Sequence, residues 1–201
     1  NGTVGLEIAE DAPDARTVLV PVGGGGLAAG IAVAVKARLP KAKVYGVQAE
    51  GAATLPEALR TGRGLHLEKP STIADGIRVG IMLPNMVDVL RRHLDGCLLV
   101  SDADIRAAMR RLAVEAKVIA EPAGAAAFAA LAPDDVEIER RAGREVECRH
   151  APVVIARTVA LAGGQEPPFK GQLRGLRCAA RGPFLLPIFA GFHPARRTGG
   201  I

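Results

Sequence analysis

The sequence predicts an α/β fold built on a parallel β-sheet. Residues 17–22 and 43–48 are short β-rich runs, and the helix-forming stretch 27–38 lies between them. The first run is apolar without alternation, which is typical of a parallel strand covered on both faces. Strand, helix and strand in this order predict a right-handed βαβ unit, which places the helix on one face of the sheet.

Composition restricts the classes of function. The chain has 201 residues, of which 49% are hydrophobic and 23% are charged, enough for one ordinary domain with a core. Tryptophan is absent and aromatics make up 3%, so platforms for stacking single-stranded nucleic acid are lacking. Cys97, Cys148 and Cys178 form no CxxC pair, so we expect neither a disulfide framework nor a zinc site, and a cytoplasmic location.

The positive charge is confined to the end of the chain. Residues 1–147 carry 18 Lys and Arg against 20 Asp and Glu, whereas residues 148–201 carry 8 against 1, a net of +7. Beyond Arg157 the chain is rich in Pro and Gly, and no helical or strand periodicity is expected. A nucleic-acid or membrane-surface extension is a weaker alternative, because the basic residues are scattered and no repeat occurs.

The uncharged run 18–35 is long enough to span a membrane. Pro21 and four glycines lie near its centre and would break such a helix, so a buried strand followed by a buried helix is expected instead. No charged segment precedes an apolar stretch at the start, so we expect Asn1 to be an internal start and not a secretory signal.

Further elements are predicted along the chain. Ser101 and Asp104 have the spacing of a capping box. One face of the helix that follows carries Ile105, Met109, Leu112, Ala116 and Ile119. Other helices are expected at 54–60, 88–92 and 125–131, and other strands at 98–100 and 152–156.

Gly23, Gly24, Gly25 and Gly26 separate the first strand from the first helix. Successive amides without Cβ atoms can turn toward an anion, and the positive end of the helix adds attraction, so a phosphate site is expected. A tight turn is the structural alternative. A P-loop is excluded because no Gly-Lys-Ser/Thr follows. A dinucleotide fingerprint stays open on spacing alone, since Gly24, Gly26 and Ala29 fit it and Glu50 lies downstream.

Five motifs occur in order: NGTVGLEI at 1–8, VPVGGGGLAAG at 20–30, YGVQAEGA at 45–52, TIADGI at 72–77 and EPAGA at 121–125. Over about residues 1–135 this set resembles the serine/threonine dehydratases, and among them the threonine ammonia-lyases of the pyridoxal-phosphate fold type II family. Serine racemases share these motifs.

The resemblance implies a three-layer parallel sheet with helices on both faces, the tryptophan synthase beta-like fold, present here incompletely. It also implies pyridoxal 5'-phosphate as cofactor and β-elimination from threonine or serine to a 2-oxo acid and ammonia. The implied partner is a small amino acid, with no nucleic acid or membrane, and a homo-oligomer is possible within the family. Two alternatives are a dinucleotide-binding Rossmann domain of a dehydrogenase and a serine racemase-like fragment.

Site residues follow from the resemblance position by position. Gly23, Gly24, Gly25, Gly26 and Leu27 correspond to the loop whose amides hold the cofactor phosphate. Asp75, Gly76 and Glu121 correspond to segments that line the cofactor ring or the substrate. For Glu121 a capping carboxylate at a helix break is the alternative.

Two departures from the family concern chemistry. The family's Schiff-base lysine lies in a Ser/Ala-x-Lys-x-Arg-Gly setting, and none of the six lysines here does, so the catalytic lysine is unknown. We therefore expect the C-terminal part of a catalytic domain, inactive alone. Positions matching a metal site of some members are Gln48, Ala52 and Thr54, which lack two oxygen ligands, so no metal is expected.

A third departure concerns the end of the chain. The family's Ser-Gly-Gly-Asn after a strand has its nearest counterpart in Ala162-Gly163-Gly164-Gln165, later than expected and without the hydroxyl. Together with the charge change, this predicts that residues 1–156 are the C-terminal portion of the pyridoxal-phosphate-dependent large domain. Residues 157–201 are predicted to be a basic Pro/Gly-rich tail, non-homologous or frame-shifted.

Overall fold

The computed structural model of the chain describes residues 1–131, 153–158 and 185–190. The described helices are α1 (Gly2–Asp11), α2 (Gly26–Arg38), α3 (Leu55–Thr61), α4 (Pro84–His93), α5 (Asp102–Glu115) and α6 (Pro122–Ala129). The described strands are β1 (Thr17–Pro21), β2 (Lys43–Ala49), β3 (Leu65–His66), β4 (Ile81–Met82), β5 (Gly96–Val100), β6 (Val153–Thr158) and β7 (Leu185–Ala190).

The sheet is parallel, with strand order β5-β2-β1-β6-β7. β3 and β4 form a separate antiparallel pair. The predicted βαβ unit is confirmed, because β1, α2 and β2 follow each other and the two strands pair in parallel. The glycine run therefore lies at the carboxyl end of β1, the edge at which open α/β sheets bind ligands.

Two hydrophobic cores lie on opposite faces of the sheet, because neighbouring residues of a strand point to opposite sides. The core under α1 to α4 includes Ile8, Val18, Val20, Ile31, Val35, Val44 and Leu90. The core under α5 and α6 includes Leu19, Tyr45, Val47, Leu98, Ile105, Leu112 and Phe128. Helices thus cover both faces, and the three-layer α/β fold is confirmed.

Helix α1 was not expected from the periodicity, since only Gly5 and Ile8 are buried on it. It packs closely on α2: a Cβ added to Gly5 would lie 2.7 Å from the Ala34 Cβ. A Cβ on Gly30 would in turn lie 2.8 Å from the Gly2 amide nitrogen. Small residues on both helices allow this approach, which brings the start of α1 beside the start of α2.

The amphipathic helix after Ser101 is shorter than its sequence pattern predicts. Its capping box is confirmed, but the helix ends at Glu115. Lys117 adopts a left-handed φ of 55°, and the Val118 amide donates to the Leu112 carbonyl at 2.9 Å, which closes the helix end. Ile119, expected on the buried face, is 84% exposed. The apolar spacing continues past the point where the backbone leaves the helix.

Two helices begin earlier than predicted because proline opens them. α4 begins at Pro84 and not at residue 88, and α6 begins at Pro122 and not at residue 125. Proline lacks an amide hydrogen, but the first turn of a helix leaves that donor without a helical partner anyway. The Glu-Pro step therefore starts α6.

A strand lies in the segment for which no periodicity was expected. β6 continues to Thr158, and β7 (Leu185–Ala190) pairs with it in parallel. The six residues LLPIFA form a nearly continuous apolar run, which is how parallel strands look in sequence, so a search for alternation misses it. Pro187 fits the outermost strand of the described sheet, where a missing donor is tolerated. Cys148, Cys178 and residues 162–165 lie outside the described residues.

The uncharged run 18–35 divides into β1 and α2, as expected. Among the helices of the described ranges, none combines the length and the apolar character needed to cross a membrane.

Asp95 ties together the amino ends of β2 and β5. Its Oδ2 accepts hydrogen bonds from Lys36 Nζ at 2.6 Å and from the Val44 amide at 2.8 Å. Its Oδ1 accepts from Lys43 Nζ at 3.0 Å. Partial burial alone raises the pKa of Asp95, but these hydrogen bonds together hold that pKa below its ordinary value.

We expect Asp95→Asn to lower the free energy of unfolding at pH 7 by about 1–2 kcal/mol. A lowered pKa in the folded state stabilises the fold above the unfolded pKa of about 4, and this contribution is lost as pH falls through the folded value. Urea unfolding from pH 7 to pH 3 should therefore show the two proteins converging. Glu57→Gln is the matched control, because the Glu57 pair with Arg60 is exposed and its loss should matter less.

Candidate functional site

The glycine loop, residues 23–26, connects β1 to α2 at the carboxyl edge of the sheet. The Val22 amide donates to the Val47 carbonyl at 2.8 Å, which anchors the loop to β2. Gly25 is the N-cap of α2 and has a φ of 93°, a conformation that side chains oppose and glycine permits. The chain can therefore turn directly from strand into helix.

Two glycines of the loop are required by the packing beneath it. A Cβ on buried Gly25 would lie 2.6 Å from Met86 Cγ and 2.9 Å from Leu90 Cδ1, both on α4. A Cβ on Gly23 would lie 3.1 Å from Val79 Cγ2 and 3.2 Å from the Ile77 Cα. These two positions allow α4 and the segment around residue 77 to pack closely against the loop.

The other two glycines face open space. Gly24 and Gly26 are exposed, and a Cβ on either would meet nothing closer than 3.7 Å among the described residues. The amides of Gly23, Gly24 and Gly25 donate no hydrogen bond to another described residue, and the first amides of α2 have no acceptor within the helix. Free donors at the positive end of a helix form a cradle that fits a phosphate group.

The second segment of the site is a single 3-10 turn, Asp75–Ile77. A Cβ on Gly76 would lie 3.0 Å from the Ala123 Cβ and 3.7 Å from Glu121 Oε1. The Gly76 carbonyl oxygen lies 3.6 Å from a Cβ added to Gly23. Gly76 is thus between the glycine loop and the start of α6, so three segments expected to share a site do meet.

Glu121 occupies the N-cap position of α6. Its carbonyl accepts from the Ala125 amide at 3.0 Å, but its side chain makes no capping hydrogen bond. The carboxylate is exposed and lies next to Gly76. The alternative that Glu121 serves as a capping side chain is therefore wrong.

Asp75 differs from its two neighbours in the site. Its carboxylate is 80% exposed and forms an ion pair with the guanidinium of Arg78, three residues along the turn. Gly76 and Glu121 are consequently the members of the lining set that face each other, while Asp75 is engaged locally.

The lysines with described partners are committed elsewhere. Lys36 and Lys43 both bind Asp95 at the amino ends of the strands, the edge of the sheet opposite the glycine loop. Lys117 Nζ donates to the Val114 carbonyl at the end of α5. Lys170 lies outside the described part of the chain.

The three positions compared with a metal site are occupied by an internal hydrogen-bond network. Gln48 is fully buried, and its Oε1 accepts from the amides of Thr54 at 2.9 Å and Leu55 at 2.8 Å. Its Nε2 donates to Thr54 Oγ1 at 3.2 Å. Ala52 is buried in the turn between them. Gln48 thus stabilises the start of α3, and the described ranges hold no cluster of three or more His, Cys, Asp or Glu suited to a metal.

Asn1 is a neighbour of the loop that motif reasoning did not select as a site residue. Its side-chain Nδ2 lies 3.7 Å from a Cβ added to Gly26. Helix α1 carries it there through the close packing of α1 on α2. The available signal was that Asn1 begins the first of the five motifs.

Comparison with known proteins agrees with this geometry. The family model described as "Pyridoxal-phosphate dependent enzyme" matches residues 1–146. The L-threonine ammonia-lyase of Thermotoga maritima is 43% identical over 130 residues, which are 65% of this chain and 32% of that protein. The catabolic L-threonine dehydratase TdcB of Staphylococcus aureus is 39% identical over 145 residues, 72% of this chain and 42% of that protein. The chain spans about a third to two fifths of the length of these curated relatives.

Two solved structures are also similar. A bacterial-type threonine deaminase, from the source abbreviated T.th., has a TM-score of 0.64 and 40% identity, and the match covers 70% of this chain and 51% of that one. A maize serine racemase has a TM-score of 0.62 and 36% identity, with 64% of this chain and 40% of that one covered.

Proposed function

We propose, on the premise that this chain belongs to the family of pyridoxal-phosphate dependent enzymes, that it supplies the phosphate-binding part of a threonine or serine ammonia-lyase active site. The observation that carries the proposal is the open glycine loop, whose unpartnered amides face the same cleft as Gly76 and Glu121. The dinucleotide alternative loses its main support, because the family match accounts for the same glycines.

The residues present fit the cofactor's phosphate. Gly24 and Gly26 leave the space that a side chain would fill, and Gly25 allows the turn that directs the amides outward. The positive end of α2 favours the dianion. Leu27 completes the loop as the second residue of the helix, where its amide still lacks a helical acceptor.

The remaining site residues act around the cofactor. When bound, pyridoxal phosphate withdraws electrons from the α-carbon of an amino acid, which favours loss of a β-hydroxyl and release of a 2-oxo acid and ammonia. In this chain Gly76 leaves room for a planar ring beside the loop. Glu121 Oε1 accepts a hydrogen bond from a donor in the cleft and orients it. The missing lysine would have to come from residues outside the described segments or from outside these 201 residues.

A serine racemase-like isomerase is the second candidate, since the maize serine racemase shares the same fold region at 36% identity. Both candidates use the same phosphate cradle. Residues that touch the α-carbon would distinguish them, and the described site contributes only Glu121 near that position.

The proposed division of the chain keeps residues 1–156 as part of the large catalytic domain and residues 157–201 as a non-homologous tail. The end of the family match at residue 146 and the basic charge after it support this division, while the pairing of β7 with β6 opposes it. A cytoplasmic homo-oligomer that binds a small amino acid is the corresponding proposal for location and partners. The buried free thiol of Cys97, with its pKa raised to about 12 by burial, fits a reducing compartment.

Calorimetric titration of the chain with pyridoxine 5'-phosphate tests the proposal. This ester cannot form an imine, so nonspecific reaction with lysines is avoided. We expect it to bind at least about tenfold more tightly than pyridoxine, because the phosphate contributes the charge-assisted hydrogen bonds. Equal affinities for the two compounds would contradict a phosphate cradle, and tighter binding of NAD than of the ester would favour the dinucleotide alternative.

A further inference from the structure

Asp102 makes contacts that neither the helix nor the proposed cofactor chemistry requires. It is the first residue of α5, directly after β5. Its Oδ1 accepts from Thr72 Oγ1 at 2.5 Å, and its Oδ2 accepts from the Ile73 amide at 3.1 Å. These bonds join residues 30 apart in sequence. The carboxylate therefore fastens the segment that leads into the site to the end of the sheet.

Helix capping does not explain this arrangement. Ser101 Oγ accepts from the Asp104 amide at 3.1 Å, and Asp104 Oδ2 accepts from the Ser101 amide at 3.0 Å. Ser101 and Asp104 thus cap α5 between them. The carboxylate of Asp102 is left to bind the neighbouring segment.

Thr72 carries the connection onward to the site. It is 6% exposed, and its Oγ1 also accepts from the Ala74 amide at 3.1 Å. The Ala74 carbonyl then accepts from the Ile77 amide at 3.0 Å, which closes the 3-10 turn. One hydroxyl therefore links Asp102 to the turn that contains Gly76.

The turn lies between both walls of the proposed cleft. On one side the Ile77 Cα is 3.2 Å from a Cβ added to Gly23, and on the other Gly76 approaches Ala123 and Glu121. A small shift of the turn would consequently change the space between the glycine loop and Glu121.

We propose that Asp102 and Thr72 are positioning residues, which hold the Asp75–Ile77 turn at the distance from the glycine loop that the cofactor requires. This inference rests on the proposed function for the identity of the ligand. The hydrogen bonds between Asp102, Thr72 and Ala74 exist without it.

The test compares Thr72→Val with Thr72→Ser and with Asp104→Asn. Valine keeps the volume but removes the hydroxyl, serine restores it, and Asp104→Asn weakens α5 through its cap without touching residues 72–74. Amide hydrogen exchange without ligand should rise about three- to tenfold at residues 73–77 in Thr72→Val only. Affinity for pyridoxine 5'-phosphate should fall by a similar factor and return with serine. Urea unfolding verifies that each variant is folded.

The outcomes separate the inference from the proposed function. Exchange at residues 73–77 that rises no more in Thr72→Val than in Asp104→Asn would overturn the inference, whether or not the ester binds. Unchanged affinity in Thr72→Val beside tight binding to the original chain would also overturn it. Failure of the original chain to bind the ester contradicts the proposed function, and with it the cofactor as the purpose of the positioning.

Discussion

Replacement of Gly24 by valine is expected to weaken the binding of pyridoxine 5'-phosphate at least about tenfold and to leave the fold nearly as stable as before. Gly24 is exposed, and the closest described atom to an added Cβ is Val79 Cγ1 at 3.7 Å. A branched side chain there fills the space above the loop amides without disturbing the core. Calorimetric titration and urea unfolding measure the two effects separately.

The neighbouring Gly25→Ala change provides the opposite control. Its methyl group would lie 2.6 Å from Met86 Cγ, at a backbone position with a φ of 93°. Overpacking and the unfavourable backbone conformation together should lower the free energy of unfolding by about 2–4 kcal/mol. If valine at position 24 leaves the affinity of the folded chain unchanged, the phosphate binds elsewhere.

The second large effect is an absence of turnover. The 201-residue chain by itself is expected to release no 2-oxobutyrate from threonine above the background of free pyridoxal phosphate. Lys36 and Lys43 are bound at the far edge of the sheet, and no lysine lies in the family's motif. Loss of a general base costs about 10²–10⁴ in rate, and loss of positioning costs more.

The L-threonine ammonia-lyase of Thermotoga maritima serves as the positive control in the same assay. Borohydride reduction followed by peptide mapping should detect no stoichiometric pyridoxyl-lysine in the 201-residue chain. A single such lysine, together with 2-oxobutyrate release that disappears when that lysine is replaced by alanine, would show that this chain carries its own catalytic lysine.

The elements with strong local signals were predictable from the sequence. β1, α2 and β2 were expected within one or two residues of their observed ends, because apolar strands, helix formers and glycines act through nearest neighbours. The Ser101 capping box was predictable for the same reason. The glycine loop needed no tertiary information either, since the absence of four Cβ atoms is a covalent property.

Boundaries that depend on backbone conformation were less predictable. The apolar spacing continues through Ile119, yet the helix ends at Glu115, just before the left-handed Lys117. β7 was missed because a parallel strand lacks the alternation that distinguishes a strand from an irregular segment. In both cases the sequence pattern is compatible with more than one backbone path.

The sequence alone thus determined the family resemblance, the parallel α/β fold and the phosphate loop, because each depends on residues close together in the chain. Only the tertiary structure decided that Gly76 lies between that loop and Glu121 and that Asp102 holds Thr72. Contacts between distant segments depend on strand order and on how α5 and α6 pack on the sheet. Those arrangements arise from burial of both faces of the sheet at once, which no local pattern encodes.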